Sequence, residues 1–310
     1  MRADFVNEVA RVLNIKRTDL IEKDLILHQI LTDLSQNKFF ADNFLFKGGT
    51  CLIKCYFGYV RFSEDIDFTW KDQTAFNEMS GKKIRSQLSK IIDTAGGVFE
   101  AIAEKRGLDF KCVKSNTDYV ELGGSDKTCT LKMWYDSEVL GRRSFVKVQI
   151  NFLEQMCFSP KKGQLSGLLT GKHEELKALF PAEAAEYSKK ILFDVYDIRE
   201  ILCEKVRALL TREGTKARDF LDVYLMWKQF RVKPEDEEKC VIGKIDFALK
   251  LYAKYRDHLK QKVGLLNSGK LFDWGSEKEL LLSDIDERDF YNFLGGFETF
   301  LMKVVSSLNY

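Results

Sequence analysis

Asp65 and Asp67 stand two residues apart in the run Arg61-Phe62-Ser63-Glu64-Asp65-Ile66-Asp67-Phe68-Thr69-Trp70. Successive side chains of an extended strand point to opposite faces, so Asp65, Asp67 and Thr69 share one face and Ile66, Phe68 and Trp70 the other. The apolar face can pack on a core. The two carboxylates repel each other unless a cation sits between them. Hard oxygen donors of this kind suit magnesium, which takes one or two protein carboxylates together with phosphate oxygens. Upstream, the apolar run Phe44-Leu45-Phe46 ends in Lys47-Gly48-Gly49-Thr50, where a short helix opens. Unpaired N–H groups at a helix start bind phosphate. A phosphate cradle followed by a dicarboxylate is the minimal equipment for nucleotidyl transfer. A glycine pair alone, or Asp-x-Asp alone, would more simply be a turn or a solvated strand face; their adjacency favours a site.

These residues need a scaffold. Residues 3–12 and 18–34 read as helices, the second with Leu20, Leu27, Leu31 and Leu34 at helical spacing and Asp24 inside that stripe. A turn at Ala41-Asp42-Asn43 leads into the first strand. Thr50 suits an N-cap and Gly58 a C-cap, and Lys54 between them either reaches phosphate or is a solvated surface lysine. A helix over 80–95 is expected to end at Gly96-Gly97, and β-like runs cover 108–114, 127–135 and 144–152. The last two form a hairpin with 136–143 as its loop. In 145–152 the alternation is clean, with Val146, Val148, Ile150 and Phe152 opposite Lys147, Gln149 and Asn151.

Residues 158–190 are irregular and contain Pro160, Gly163, Gly167, Gly171 and Pro181. The division between lobes is therefore expected at 160, giving 1–160 and a mainly helical 161–310. Within the helix over 197–213, Lys205 projects into an apolar arc, with Arg212 close by. Such cations either snorkel to water or enter a cleft. The helix over 217–230 groups Arg218, Asp219 and Asp222, where the i,i+4 spacing of Arg218 and Asp222 admits a surface ion pair. Aromatics after 235 read as core, and Lys244–Lys262 as a solvated basic face more readily than an RNA contact.

At 310 residues the chain exceeds one ordinary domain. Its net charge of +2 excludes a global field for nucleic acid, though not a local basic cleft. The seven cysteines show no paired metal spacing, and their odd number suggests free thiols in a reducing cytosol. No apolar run is long enough for a membrane span.

The run Phe46-Lys47-Gly48-Gly49-Thr50 followed by Arg61 to Phe68 resembles the AbiEii/AbiGii toxin family, nucleotidyltransferases of the DNA polymerase β-like superfamily from toxin–antitoxin and phage-defence systems. Glu22-Lys23-Asp24 is similar to a short family signature. Glu204-Lys205, Arg212 and Arg218-Asp219-Phe220-Leu221-Asp222 resemble its downstream Lys and Asp motifs, so the likeness spans 22–222. It implies an α+β fold: a polymerase β-like lobe with a small mixed sheet flanked by helices, plus a mainly α-helical C-terminal lobe. It implies catalytic roles for Asp65, Asp67, Lys205, Asp219 and Asp222, with magnesium (or manganese) on Asp65 and Asp67. It implies nucleotide binding by Lys47, Gly48, Gly49, Thr50, Ser63 and Arg212. The implied activity is NMP transfer from an NTP to RNA such as a tRNA acceptor end, in the cytoplasm, with a cognate antitoxin as partner. Transfer to a protein hydroxyl and an inactive nucleotide- or partner-binding module are the alternatives. The last draws on one departure: Gln149 occupies the strand position where polymerase β-like enzymes carry a third acid, and an amide can coordinate but brings no charge and cannot act as a base.

Overall fold

The computed structural model describes residues 3–308, the side chains of 276–278 excepted. The chain forms two compact units. One comprises the residues up to Glu154 together with Pro160–Val195, and the other Gln155–Ser159 together with the residues from Tyr196 onward.

The first unit is built on a mixed sheet. In chain order it contains α1 (Ala3–Leu13), α2 (Thr18–Gln36), α3 (Lys38–Asn43), β1 (Phe44–Lys47), α4 (Gly48–Cys51), β2 (Asp65–Trp70), α5 (Gly81–Arg106), β3 (Val120–Gly123), β4 (Thr128–Ser137), β5 (Arg142–Asn151), β6 (Lys161–Leu165), α6 (Glu174–Leu179), α7 (Pro181–Tyr187) and β7 (Ile191–Val195). The seven strands lie in the order β3-β4-β5-β2-β1-β7-β6. β2 pairs antiparallel with β1 and parallel with β5, which places it inside the sheet. Its apolar face is sealed: Ile66 and Phe68 are buried, and the Phe68 ring packs against Phe40, Phe44, Phe46 and Phe193. β4 and β5 form the expected hairpin, with Leu131, Met133, Val146, Val148 and Ile150 on the buried side.

Several local expectations give way to packing. Ala41-Asp42-Asn43 is not a turn but the end of α3, whose start is capped by the Asn37 side chain accepting from Phe40 N at 3.0 Å. The helix expected to stop at Gly96-Gly97 runs on to Arg106 and ends where Gly107 turns left-handed at φ +64°. Gly96 is there for space, since a Cβ would collide with the Cys112 side chain. Residues 108–114 form no strand; Asp109 makes an isolated bridge to Trp134. The tract 158–190, expected to be irregular, carries β6, α6 and α7; β7 follows it, pairs antiparallel with β6 and meets β1 in parallel.

The second unit is helical: α8 (Ile198–Thr211), α9 (Ala217–Phe230), α10 (Glu238–Leu251), α11 (Lys254–Asn267) and α12 (Glu287–Ser306). The α+β expectation, a mixed sheet flanked by helices with a mainly helical second part, is borne out. Its helical reach to 310 includes 309 and 310, which lie outside the described residues. α9 and α12 are joined by aromatic contacts among Phe220, Tyr224, Phe290 and Phe293; Phe220, Tyr224 and Phe290 are core, whereas Phe293 is half-buried and Tyr291, expected in the core, is exposed. Lys244 and Lys262 are buried, not part of a solvated basic face. Lys244 reaches Glu200 and the Gln155 carbonyl, each at 2.6 Å, and Lys262 donates to Gly214 O and Thr215 Oγ1.

Gln155–Ser159 closes this unit over α8 and α10. Glu200 Oε2 accepts from Cys157 N at 2.9 Å and Phe158 N at 2.7 Å. Cys157 and Cys240 form a disulfide. The expectation of free thiols therefore holds only for Cys51, Cys55, Cys112, Cys129 and Cys203; spacing in sequence could not show a pairing across 83 residues.

Candidate active site

The glycine turn and the aspartate strand meet directly. Lys47 lies opposite Asp67 in the β1–β2 ladder, so the chain leaves β1 beside the second carboxylate. Gly48 then adopts φ +77°, a conformation that favours glycine. A Cβ there would run into the Asp67 carboxylate. Glycine at 48 is thus required twice, by backbone angle and by the closeness of Asp67. At Gly49 a Cβ would stand 3.0 Å from both Arg61 Nη2 and Ser63 Oγ, so this backbone also lies against a cation and a hydroxyl.

Thr50 does not cap the helix, which starts at Gly48. Buried, it donates its hydroxyl to the Asp65 carbonyl and hydrogen-bonds with Ser63 Oγ at 2.9 Å. The hydroxyl therefore ties the glycine turn to the start of β2. Lys47 is buried and pairs with Glu154 at 3.2 Å. Arg61, also buried, donates to the Phe62 carbonyl at 2.7 Å.

After α4 the helix widens into a π-helical turn, Leu52–Phe57, closed by Gly58 at φ +74°. Wide turns of this kind free backbone groups and recur at functional sites. Here the Lys54 carbonyl accepts from Ser166 N at 3.0 Å. The Lys54 side chain is neither solvated nor turned to a phosphate cradle. It is fully buried, 2.9 Å from Asp24 on α2. Asp24 also accepts from the Tyr187 hydroxyl at 2.6 Å and the Tyr59 hydroxyl at 2.7 Å. Burial and the bonds to Asp24 push both phenols well above their ordinary range. His28, on the same helix and buried, bonds to the Lys189 carbonyl through Nε2. Burial, followed by the Lys54 charge, brings it down to about 4, so it is neutral. The other two residues of that signature are structural as well: Glu22 accepts from Ser137 Oγ and Glu138 N, and Lys23 pairs with Glu64 at 3.0 Å.

On the open face of the sheet, β5 runs parallel to β2 with Asp65 beside Lys147 and Asp67 beside Gln149. The amide occupies the position next to the second aspartate, as the alternation of 145–152 implied. Lys147 Nζ is 3.3 Å from Asp65 Oδ2, with side-chain exposures of 30% and 23%. Across β4, Lys132 stands opposite Lys147 but turns to the Thr117 carbonyl and Glu121. Among the described residues, no third His, Cys, Asp or Glu gathers with Asp65 and Asp67. The set that does gather is Cys157, Glu200 and Cys240, whose sulfurs are joined in the disulfide. The Asp65 and Asp67 donors are hard oxygens on one strand face, which fits magnesium or manganese.

The second unit holds the other expected residues. Lys205 on α8 pairs with Asp219 Oδ1 and Asp222 Oδ2 on α9, each at 2.8 Å, and Arg212 at the end of α8 reaches Asp219 Oδ2 at 2.6 Å. Lys205 thus sits in its apolar arc because two buried carboxylates meet it. Asp222 is buried, not a member of a surface pair. Burial alone would raise Asp219, but the Lys205 and Arg212 charges outweigh it and hold the carboxyl at about 2. The turn between the helices is fixed by Lys262 and by His258 Nδ1, 3.0 Å from the Thr211 carbonyl.

Lys147, Arg61 and Glu154 are the side chains at the sheet site that sequence reasoning did not single out. For Lys147 the signal was available: it shares a face with Gln149. Its pairing with Asp65 depends on a register that only the sheet defines.

A family model for the nucleotidyl transferase AbiEii toxin of type IV toxin–antitoxin systems matches residues 29–305. No curated protein matches the chain. Two solved structures from Helicobacter pylori are similar to it at 14% identity. JHP933 covers 93% of this chain and 94% of its own with a TM-score of 0.45. A candidate nucleotidyltransferase covers 94% and 98% with a TM-score of 0.43. Likeness this distant carries no argument about the site.

Proposed function

The chain belongs to the AbiEii nucleotidyl transferase toxin family of type IV toxin–antitoxin systems, and from that premise we propose that it is a magnesium-dependent enzyme transferring NMP from an NTP to RNA. The observation that carries this reading is the Gly48 backbone packed against the Asp67 carboxylate on the strand that also presents Asp65. A phosphate held at the turn would lie beside both acids. Transfer forms a bond from an acceptor hydroxyl oxygen to the α-phosphorus and breaks the bond to the β-phosphate oxygen. Pyrophosphate leaves with the electron pair and the hydroxyl proton passes to solvent.

Asp65 and Asp67 would hold the divalent ion, with manganese able to replace magnesium; when bound it supplies charge neutralisation on the triphosphate. Gly48 and Gly49 offer backbone N–H groups, Ser63 and Thr50 hydroxyls, and Lys47 a positive charge at the cradle. In the second unit, Lys205 and Arg212 are the phosphate-binding cations, and Asp219 and Asp222 hold Lys205 in place. The acceptor is a tRNA-like end, the compartment the cytoplasm, and a cognate antitoxin restrains the activity. Among the described residues, no helix is long and apolar enough to cross a membrane.

Purified protein incubated with magnesium, each labelled NTP separately and total RNA, beside an Asp65→Ala variant, tests the proposal. Label entering a discrete RNA band only with the wild type is the expected result. Label entering protein instead would establish transfer to a protein hydroxyl. A second reading, an inactive nucleotide-binding module, is favoured by Gln149 beside Asp67; NTP binding without label in RNA or protein would select it.

A further inference from the structure

Nucleotidyl-transfer sites with two metal ions use them to stabilise both the attacking and the leaving oxygen, and they need enough carboxylate to hold both. This sheet face does not supply it. Asp65 and Asp67 project from β2, but the neighbouring positions on β5 are Lys147 and Gln149, and across β4 stand Lys132 and Thr130. No further acid gathers with the aspartates among the described residues. Glu154 is engaged by Lys47. In the second unit, Asp219 and Asp222 meet Lys205, and Asp219 also meets Arg212.

Charge on this face is matched differently. Lys147 Nζ lies 3.3 Å from Asp65 Oδ2. Two like charges directly opposite on adjacent strands destabilise a sheet. The Lys132–Lys147 pair avoids this by diverging, Lys132 toward Glu121 and Lys147 toward Asp65. Lys147 is only partly buried, so no desolvated environment forces it onto the aspartate. A site of three carboxylates and two divalent ions keeps one net positive charge. Counting the groups on β2 and β5 alone, two carboxylates, one ammonium and one divalent ion keep the same.

We propose, resting on the nucleotidyltransferase reading above, that the Lys147 ammonium stands in place of a second metal ion, so that each active site takes one divalent cation on Asp65 and Asp67. Lys147 is then the residue that neutralises charge on the Asp65 side of the reacting phosphate. Gln149, uncharged, is the residue that leaves room for this arrangement.

Electron paramagnetic resonance of the full chain with manganese(II) and inorganic tripolyphosphate tests this without a turnover assay or a known base. The expected spectrum is that of isolated bound manganese, lost in Asp67→Asn. A spin-coupled manganese pair in the wild type, also lost in Asp67→Asn, would overturn the single-ion proposal and leave the metal assignment standing. Bound manganese unaffected by Asp67→Asn would overturn both. Lys147→Glu places a third carboxylate beside Asp65 in the β2–β5 register, and a spin-coupled component should appear in it. A folded Lys147→Glu protein that still shows only isolated manganese would overturn the claim that Lys147 excludes the second ion. The wild-type spectrum decides the main point even if that variant does not fold.

Discussion

Asp24 with Lys54 and Asp65 with Lys147 are the same two residue types set in opposite surroundings. The first pair is sealed, with side-chain exposures of 3% and 0%. The second is open, at 23% and 30%. A sealed charge pair recovers its desolvation cost only with further hydrogen bonds, and the Tyr59 and Tyr187 hydroxyls provide them. That pair fastens the π-helical turn after the glycine loop to α2. An open pair contributes little to stability because water screens it. It keeps its partners exchangeable, as the proposed ion and phosphate site requires. For these two pairs, burial and not residue type marks the difference: Asp24–Lys54 is sealed scaffold, and Asp65–Lys147 is left open for the proposed chemistry.

The largest expected effect belongs to Asp65. Asp65→Ala should lower transfer by about a hundred- to a thousandfold, the range for losing a principal charge-stabilising group, with an unchanged urea midpoint. A comparable loss of stability would mean that the open pair is structural after all. Asp24→Ala should do the reverse and cost about 3–5 kcal/mol of unfolding free energy, as expected when one partner of a buried pair is removed. Urea titration reads this directly, and a cost below about 1 kcal/mol would show that the cluster is not sealed in solution.

His28 sharpens the sealed side. Its folded value of about 4 lies below its ordinary 6.5. Between these values the unfolded chain binds the extra proton, so stability is complete above about pH 6.5 and declines as pH falls towards 4. The loss reaches about 3 kcal/mol. Urea midpoints across that window should show the slope in the wild type and its disappearance in His28→Gln. The smallest effect belongs to Lys147→Met, which should change unfolding free energy by less than about 1 kcal/mol. A larger change would place the open pair with the scaffold.

What the sequence made legible was local. Period-two alternation in 65–70 and 145–152 predicts the faces of β2 and β5, and with them the position of Gln149. The glycine turn was legible because its residues adjoin the strand they serve. Contacts set by tertiary register were not. Lys147 meets Asp65, and Lys54 meets Asp24, only once the sheet and α2 have assembled. Glycine misled at 96 because it served close packing against Cys112, where the sequence suggested a stop. Lys205 was ambiguous within its helix because the carboxylates that justify its burial lie on the next one.

The short excursion Gln155–Ser159 bears on how this gene can be cut. It falls between β5 and β6 in the chain yet is an inseparable part of the helical unit. A fragment starting at Tyr196 would leave Glu200 without the two N–H donors it accepts from, Lys244 without the Gln155 carbonyl, and Cys240 without its disulfide partner. A fragment ending at Glu154 would strip β6 and β7 from the sheet edge next to β1. Neither unit can therefore be encoded by one uninterrupted stretch. Complementation by split halves is expected to fail at both obvious joints, whereas a break within Gly269–Asp273, far along the helical unit's own contiguous stretch, leaves all these partners on one polypeptide.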